Sequence, residues 1–116
     1  MNFTLKKQDK IRKSREYSEM KFSGNVFRTK RLVFNYRRAV RSRLGVIVTK
    51  KVGNAVIRNR VKRWIREVFR TEKHIFTSPV ELVVIPRSSD LNYNDIRRDF
   101  LYFAGKYNEK TTDNNS

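Results

Sequence analysis

Cysteine is absent from the 116-residue sequence, and histidine occurs once, at His74. A disulfide framework and a thiolate metal site are therefore excluded, and His74 has no second imidazole as a partner. No apolar run approaches the roughly 18 residues that a membrane span requires. The first residues also lack the uninterrupted apolar segment of a secretory signal. These absences predict a cytoplasmic protein with no membrane partner.

Acidic residues are scarce in the first part of the chain. Residues 1–70 contain 22 Lys or Arg and 4 Asp or Glu, whereas residues 71–116 contain 6 and 7. The net charge of +17 opposes compaction by self-repulsion, so it indicates a polyanionic partner. Nucleic acid is the first candidate, and an anionic membrane surface is the second. Hydrophobic residues still make up 38% of the chain, which suits one globular domain.

The first half of the chain predicts a short helix followed by strands. Apolar residues at helical spacing among cations predict a helix from Asp9 to about Met20, after a flexible segment at 1–8. Residues 26–39 are expected to be extended, and Leu44–Thr49 is a second apolar strand. The arginine-rich segment between them, residues 37–43, is interpreted as a solvated loop in preference to a binding motif.

The second half predicts a helix, a strand and a last helix. Gly53-Asn54 supplies a turn and an N-cap for a helix from Ala55 to about Glu72. Val80–Ile85, bounded by two prolines, is the next strand. Asn92 caps the last helix, whose apolar face continues to Tyr107.

These elements predict an α+β protein built as a two-layer sandwich. One domain is expected over residues 9–107, followed by a disordered polar tail at 108–116. The strand–helix–strand unit from Leu44 to Ile85 implies a parallel pair joined by a crossover, which general statistics make right-handed.

The central helix divides its residues between two faces. At about 100° per residue, apolar side chains gather around Ile57 and predict a core face; they are Val61, Trp64, Ile65 and Val68. The opposite face carries five cations and an amide: Arg58, Asn59, Lys62, Arg63, Arg66 and Arg70. An ordinary solvated face would interleave acids with bases, because like charges at i,i+4 repel by a few tenths of a kcal/mol. The preference for arginine indicates bidentate contacts with phosphate.

Other residues near this helix suit supporting roles. Arg60 falls outside the cationic face, beside Glu67, which suggests a structural pair. Lys50 and Lys51 stand ahead of the helix N-terminus, whose amides already favour anions. RNA is favoured over DNA, because no helix-turn-helix spacing accompanies the helix.

The stretch KKVGNAVIRNRVKRWIREVFR, Lys50 to Arg70, resembles the signature of the bacterial ribonuclease P protein subunit. Every fixed position of the pattern K-K-x-G-x-A-V-x-R-N-R-x-K-R-x-(aliphatic)-R is present. The resemblance implies a two-layer α/β sandwich like the second domain of ribosomal protein S5. It also implies the element order α-β-β-β-α-β-α and, against the general statistics, a left-handed β-α-β crossover.

The resemblance further implies a division of labour within an endoribonuclease. The RNA subunit carries the chemistry and uses Mg²⁺ to remove the 5′ leader of precursor tRNA, so no catalytic residue and no metal ligand is assigned to the protein. The implied partners are the catalytic RNA subunit and precursor tRNA, without DNA.

Two groups of site residues follow from these patterns and the resemblance. RNA binding is assigned to Lys50, Lys51, Asn54, Arg58, Asn59, Arg60, Lys62, Arg63, Arg66 and Arg70. A leader-binding cleft between the first helix and the sheet is assigned to Lys10, Lys13, Tyr17, Lys21, Val33, Asn35, Ile47 and Thr49. Lys21 departs from the family, which usually has a second aromatic there. The alternation along the second strand leaves open whether Val33 and Asn35 or Phe34 and Tyr36 face the cleft.

The alternative hypothesis is a ribosomal-type or RNA-chaperone protein with the same fold and no role in cleavage. A basic protein of membrane surfaces is a further possibility. A self-sufficient nuclease has the least support, because the chain lacks a histidine pair and a cluster of acids from which to build an active site.

Overall fold

The computed structural model describes residues 24–113. Within them it has four strands, two helices and a 3-10 turn at Lys73–Ile75. The elements are β1 (Asn25–Arg28), β2 (Leu32–Arg38), β3 (Arg43–Val46), α1 (Ala55–Glu72), β4 (Val80–Pro86) and α2 (Tyr93–Asp113). The helix expected at 9–20 and the segment expected to be flexible at 1–8 lie outside the described residues.

The strands form one mixed sheet in the order β1-β2-β4-β3. β2 pairs with β1 and with β4 in the antiparallel sense, whereas β3 and β4 are parallel. Helix α1 therefore joins a parallel pair, as the sequence predicted. The parallel and antiparallel pairings together give the α+β class.

The core lies between one face of the sheet and the two helices. Alternate residues of β2 are buried on this face, namely Leu32, Phe34 and Tyr36. The ring of Phe34 stacks on Phe103 of α2, with centroids 4.6 Å apart. Burial of each large side chain of this kind contributes about 1.5–3 kcal/mol, so the face carries much of the stability.

Both helix caps predicted from the sequence are confirmed. The Oδ1 atom of Asn54 accepts a hydrogen bond from the Ile57 backbone N–H at 3.0 Å. At the start of α2, Asn92 Oδ1 accepts from the Asp95 N–H at 2.8 Å. Each cap satisfies an amide that the helix itself leaves without a partner, which is worth about 1 kcal/mol.

Strand β3 is shorter than predicted, because the chain turns before it can continue pairing. The Ile47 N–H still donates to Val84 O at 3.1 Å. Beyond it, the Val52 N–H donates back to Thr49 O at 3.1 Å and the Gly53 N–H to Lys50 O at 3.2 Å. These two turns lead straight into α1.

Helix α2 continues to Asp113, so the prediction of a disordered tail is wrong for residues 108–113. Its last turns are tied to the connection that precedes β4. Asn108 Oδ1 accepts from the Thr77 N–H at 3.0 Å, and Asn108 Nδ2 donates to a carbonyl of the 3-10 turn at 2.8 Å. Thr111 is buried, with its hydroxyl 3.3 Å from that of Thr77. Composition alone could not show these contacts, because they join segments far apart in sequence.

Candidate nucleic-acid interface

The buried face of α1 is rotated from the one that the sequence predicted. The buried residues are Val61, Ile65, Val68 and Phe69, whereas Ile57 is 38% exposed. Phe69 meets Phe100 of α2 edge to face, with centroids 6.4 Å apart. Because Phe69 lies about 100° on from Val68, its burial turns the core face away from Ile57. The prediction that Ile57 marks the centre of that face is therefore wrong.

The solvent-facing side of α1 is consequently centred on Arg63. Four polar residues along it are exposed: Asn59, Arg60, Arg63 and Arg66. We call these four the exposed arginine face. Val56 extends it toward the helix N-terminus and is 67% exposed. Arg60, which the sequence suggested as a structural residue, thus belongs to this face.

Arg58 and Lys62 occupy the flank of the helix and are half-buried. The Arg58 guanidinium bends back toward the preceding turn, where Nη1 donates to Gly53 O at 3.0 Å. A charge-assisted bond of this kind holds the turn against the helix. Arg58 therefore has a structural contact that the sequence did not reveal.

The two acids of α1 are both paired with arginine. Glu67 pairs with Arg70 and not with Arg60, and the Arg70 side chain is 12% exposed. At the helix end, Glu72 Oε1 lies 3.1 Å from Arg97 Nε of α2. The cations that the sequence predicted on one face at i,i+4 spacing therefore do not form a continuous exposed ladder; they are Arg58, Lys62, Arg66 and Arg70. These pairs neutralise the acids, so the exposed arginine face keeps its positive charge.

The N-terminal end of α1 adds to the positive field. Lys50 and Lys51 are exposed in the turns ahead of it, and the first helical turn has no acidic residue. Asn54 is exposed and uses its Oδ1 atom as the cap. Cations beside the positive end of a helix dipole are unfavourable unless an anion binds there. This arrangement suits phosphate.

The sheet face opposite the helices carries the second group of predicted residues. Val33 and Asn35 lie on this outer face, because the residues between them are buried on the helical face. Asn35 is in register with Val83 of β4, and Val33 is in register with Ile85. Ile47, 38% exposed, follows β3 on the same side. Phe34 and Tyr36 thus belong to the core, and Val33 and Asn35 are the pair on the outer face of the sheet.

Other cleft assignments have different outcomes. Thr49 is exposed in the turn after β3. The four N-terminal residues, Lys10, Lys13, Tyr17 and Lys21, lie outside the described residues. Arg28 of β1 was not predicted, although it is exposed and pairs in register with Val33. Only the strand register, which local pattern does not give, could have found it.

A family model described as Ribonuclease P matches residues 5–108 of the chain. The chain belongs to the ribonuclease P protein family. It is 42% identical to the ribonuclease P protein component of Syntrophus aciditrophicus over 83% of this chain and 84% of that protein. The corresponding component of Finegoldia magna is 32% identical over 91% of this chain and 96% of its own length.

Solved ribonuclease P proteins share the fold. The protein from Thermotoga maritima matches with a TM-score of 0.75 and 28% identity, covering 84% of this chain and 96% of that one. The Staphylococcus aureus protein matches with a TM-score of 0.74 and 28% identity, covering 81% and 90%. The four-stranded mixed sheet and two helices described above are therefore those of a ribonuclease P protein.

Membership of this family confirms the function that the resemblance predicted. The chain is the protein subunit of ribonuclease P, a ribonucleoprotein endonuclease, and takes part in the 5′ processing of precursor tRNA. Neither helix of the part that the structure describes is long and apolar enough to cross a membrane. Between residues 24 and 113, no three acidic or imidazole side chains are grouped as metal ligands.

Proposed function

We propose that the exposed arginine face of α1 binds the catalytic RNA of ribonuclease P. The observation that carries this proposal is a set of three exposed guanidinium groups on a helix whose own acids are both paired. A guanidinium offers a planar fork that matches two phosphate oxygens. The buried opposite face fixes the helix, so little order has to be gained on binding.

The other residues assigned to RNA binding act around this face. Lys50 and Lys51 contribute charge beside the N-terminus of α1, and Lys62 lies along its flank. Arg58, Asn54 and Arg70 hold the turn and the helix in shape through the contacts described above. Their effect on RNA affinity is therefore smaller than that of Arg63.

We propose that the outer face of the sheet, together with Lys10, Lys13, Tyr17 and Lys21, holds the 5′ leader of precursor tRNA. Asn35 offers an amide that both donates and accepts hydrogen bonds. Val26, 48% exposed and in register with Asn35, adds apolar surface. Arg28 supplies a cation at the edge of the same face. A single strand is suited to apolar contacts for its bases with cations along its backbone.

The reaction is assigned to the RNA subunit, with Mg²⁺ as its required ion. Bound Mg²⁺ would activate water and stabilise the charge that develops on the phosphate. The described residues supply no grouping of metal ligands, so no protein ligand is assigned. The chain contributes cations that reduce the repulsion between two polyanionic RNAs, which lowers the concentration of Mg²⁺ needed.

Three finer features of the fold accompany this proposal. The β3-α1-β4 crossover is left-handed, as in the second domain of ribosomal protein S5. A further helix precedes β1 and completes the element order α-β-β-β-α-β-α. The chain forms one domain. The protein acts in the cytoplasm.

Reconstitution with the catalytic RNA tests the proposed function. At low Mg²⁺ the wild-type chain should stimulate cleavage of precursor tRNA, and Arg63→Ala should reduce that stimulation. Lys106→Ala removes one exposed charge from α2 and serves as the control with equal net charge. Equal stimulation by all three chains would refute the role of α1. If the wild-type chain gave no stimulation, the role in cleavage would be refuted and only the alternative of general RNA binding would remain.

A further inference from the structure

Glu81 of β4 is the only acid on the outer face of the sheet within the part of the chain that the structure describes. We propose that it is a positioning residue for the 5′ leader of precursor tRNA: its carboxylate fixes the side chain of Arg37, and Arg37 contacts a leader phosphate. This inference rests on the proposed role of the outer face and adds a residue that acts without touching the RNA itself.

The strand register places Glu81 between two arginines. β4 lies between β2 and β3, and Glu81 is in register with Arg37 on one side and with Arg43 on the other. Side chains in register on neighbouring strands lie on the same face of a sheet and are close enough to interact. The Oε2 atom of Glu81 is 3.1 Å from Nη2 of Arg37. The three residues therefore form a row across the sheet, in which one carboxylate separates two cations.

The stability of the strand gives little reason for an acid at this position. Glutamate is less frequent in strands than β-branched residues, which pack better on a pleated surface. The Glu81 side chain is only 14% exposed, so the loss of its hydration offsets much of the attraction to Arg37. The carboxylate is therefore better explained by what it does to the neighbouring arginine.

The ion pair restricts the Arg37 side chain before any RNA is bound. A long side chain that is free to rotate loses rotamer entropy when it becomes fixed on a ligand. The charge-assisted hydrogen bond from Arg37 to Glu81 holds the guanidinium in one orientation. The carboxylate also offsets the repulsion between Arg37 and Arg43. Both effects reduce the cost of bringing a phosphate to Arg37.

Arg37 lies at one end of the outer face, and a second cation lies at the other end. Arg28 of β1 is in register with Val33 of β2, four residues before Arg37. At about 3.3 Å per residue, the two ends are about 13 Å apart along the strand. A leader that lies along this face therefore meets a cation at each end, with Asn35 between them. The ligand recognised by Arg37 is the phosphate backbone of that single strand.

Glu81→Gln tests the proposal in the reconstituted holoenzyme. The substitution raises the net charge by one, so charge alone predicts tighter binding of precursor tRNA. Loss of positioning predicts the opposite: affinity should fall about tenfold, as for one charge-assisted hydrogen bond, and the salt slope by about 0.7, the value for one phosphate of a single strand. Glu109→Gln is the matched control, because Glu109 is a 68% exposed acid of α2 that pairs with Lys106 at 3.7 Å. If Glu81→Gln binds as tightly as this control, the proposal is wrong.

Two comparisons separate positioning of the leader from a purely structural role. With a leader shortened to a single nucleotide, the wild-type and Glu81→Gln holoenzymes should bind precursor tRNA equally. The double variant Arg37→Gln with Glu81→Gln should bind no worse than Arg37→Gln alone, because Glu81 acts through Arg37. A loss that persists with the short leader, or that Glu81→Gln adds to Arg37→Gln, would contradict the proposal.

Arg37→Lys carries the same test from the other partner and leaves the acid in place. It keeps the net charge, but a lysine ammonium lacks the planar fork that the carboxylate holds, so leader-dependent affinity should fall here also. Full leader-dependent affinity in this variant would count against the proposal.

The wild-type holoenzyme shows whether the outer face holds the leader at all. It should bind the substrate with the long leader more tightly than the one with the short leader. Equal binding of the two substrates would refute the leader-binding role and the role of Glu81 together. If wild type and Glu81→Gln distinguish the two substrates to the same extent, only the role of Glu81 is refuted.

Discussion

Gly53 is a position at which a single added methyl group should disturb the interface. Its φ angle is +154°, a conformation that side-chain-bearing residues rarely adopt. A Cβ atom would lie 2.9 Å from Cγ2 of Ile57 and 3.1 Å from its Cβ. Rotation of the Ile57 side chain cannot move its Cβ, so the backbone of the turn must shift. Gly53→Ala therefore strains the turn that positions Lys50 and Lys51.

The expected cost can be estimated from the contacts of the turn. A strained backbone conformation costs about 1–3 kcal/mol. A shift that relieves the strain weakens instead the Asn54 cap, worth about 1 kcal/mol, and the bond from Arg58 to Gly53 O. We expect Gly53→Ala to lower the free energy of unfolding by about 2 kcal/mol, a large part of the 5–15 kcal/mol typical of a domain.

Urea denaturation followed by the fluorescence of Trp64, the only tryptophan, measures this change. With a typical slope of about 2 kcal/mol per molar, the midpoint should fall by about 1 M. Gly105→Ala is the matched control, because nothing lies within 4 Å of its added Cβ and the residue is inside α2. It should stabilise the protein by about 0.5–1 kcal/mol. A midpoint for Gly53→Ala at or above that of wild type would refute the reasoning.

Three further changes separate structural from RNA-binding roles. Asn54→Asp should keep the cap and the urea midpoint, because a carboxylate also accepts the first-turn amide, yet weaken RNA binding in a filter assay. Arg58→Ala should lower stability by about 1 kcal/mol and RNA affinity less than Arg63→Ala does. Burial raises the pKa of Tyr107, so the stability it provides is present below the usual pKa of about 10 and lost as pH rises above it. Tyr107→Phe should therefore show a smaller alkaline fall in Tm, while losing about 1 kcal/mol at pH 7 with its hydrogen bond.

The local sequence pattern was sufficient to predict those features that depend on residues close together in the chain. The limits of α1, Ala55–Glu72, and both asparagine caps follow from turn residues and helical spacing, and all are confirmed. Strand β4 also lies where its flanking prolines predicted it. These features arise from backbone hydrogen bonds and capping within a few residues.

Prediction failed where a distant contact decides the outcome. The rotation of α1 depends on Phe69 reaching Phe100 of the other helix, which no helical wheel contains. The extent of α2 depends on Asn108 meeting the connection before β4. For the same reason Arg60 was interpreted as a structural residue and Arg70 as part of the cationic face, because the helical wheel does not contain the direction of the core.

The central claim is that the exposed arginine face holds the catalytic RNA. Its most direct test is the affinity of single α1 variants for that RNA, measured over a range of salt concentrations. Arg63 lies at the centre of that face, and half-buried Arg58 lies at its flank. Arg63→Ala should weaken binding and lower the salt slope by about 0.9, the value for one phosphate contact. Lys106→Ala should change neither quantity beyond the effect of net charge. A full slope for Arg63→Ala, with the loss appearing in Arg58→Ala instead, would contradict the assignment.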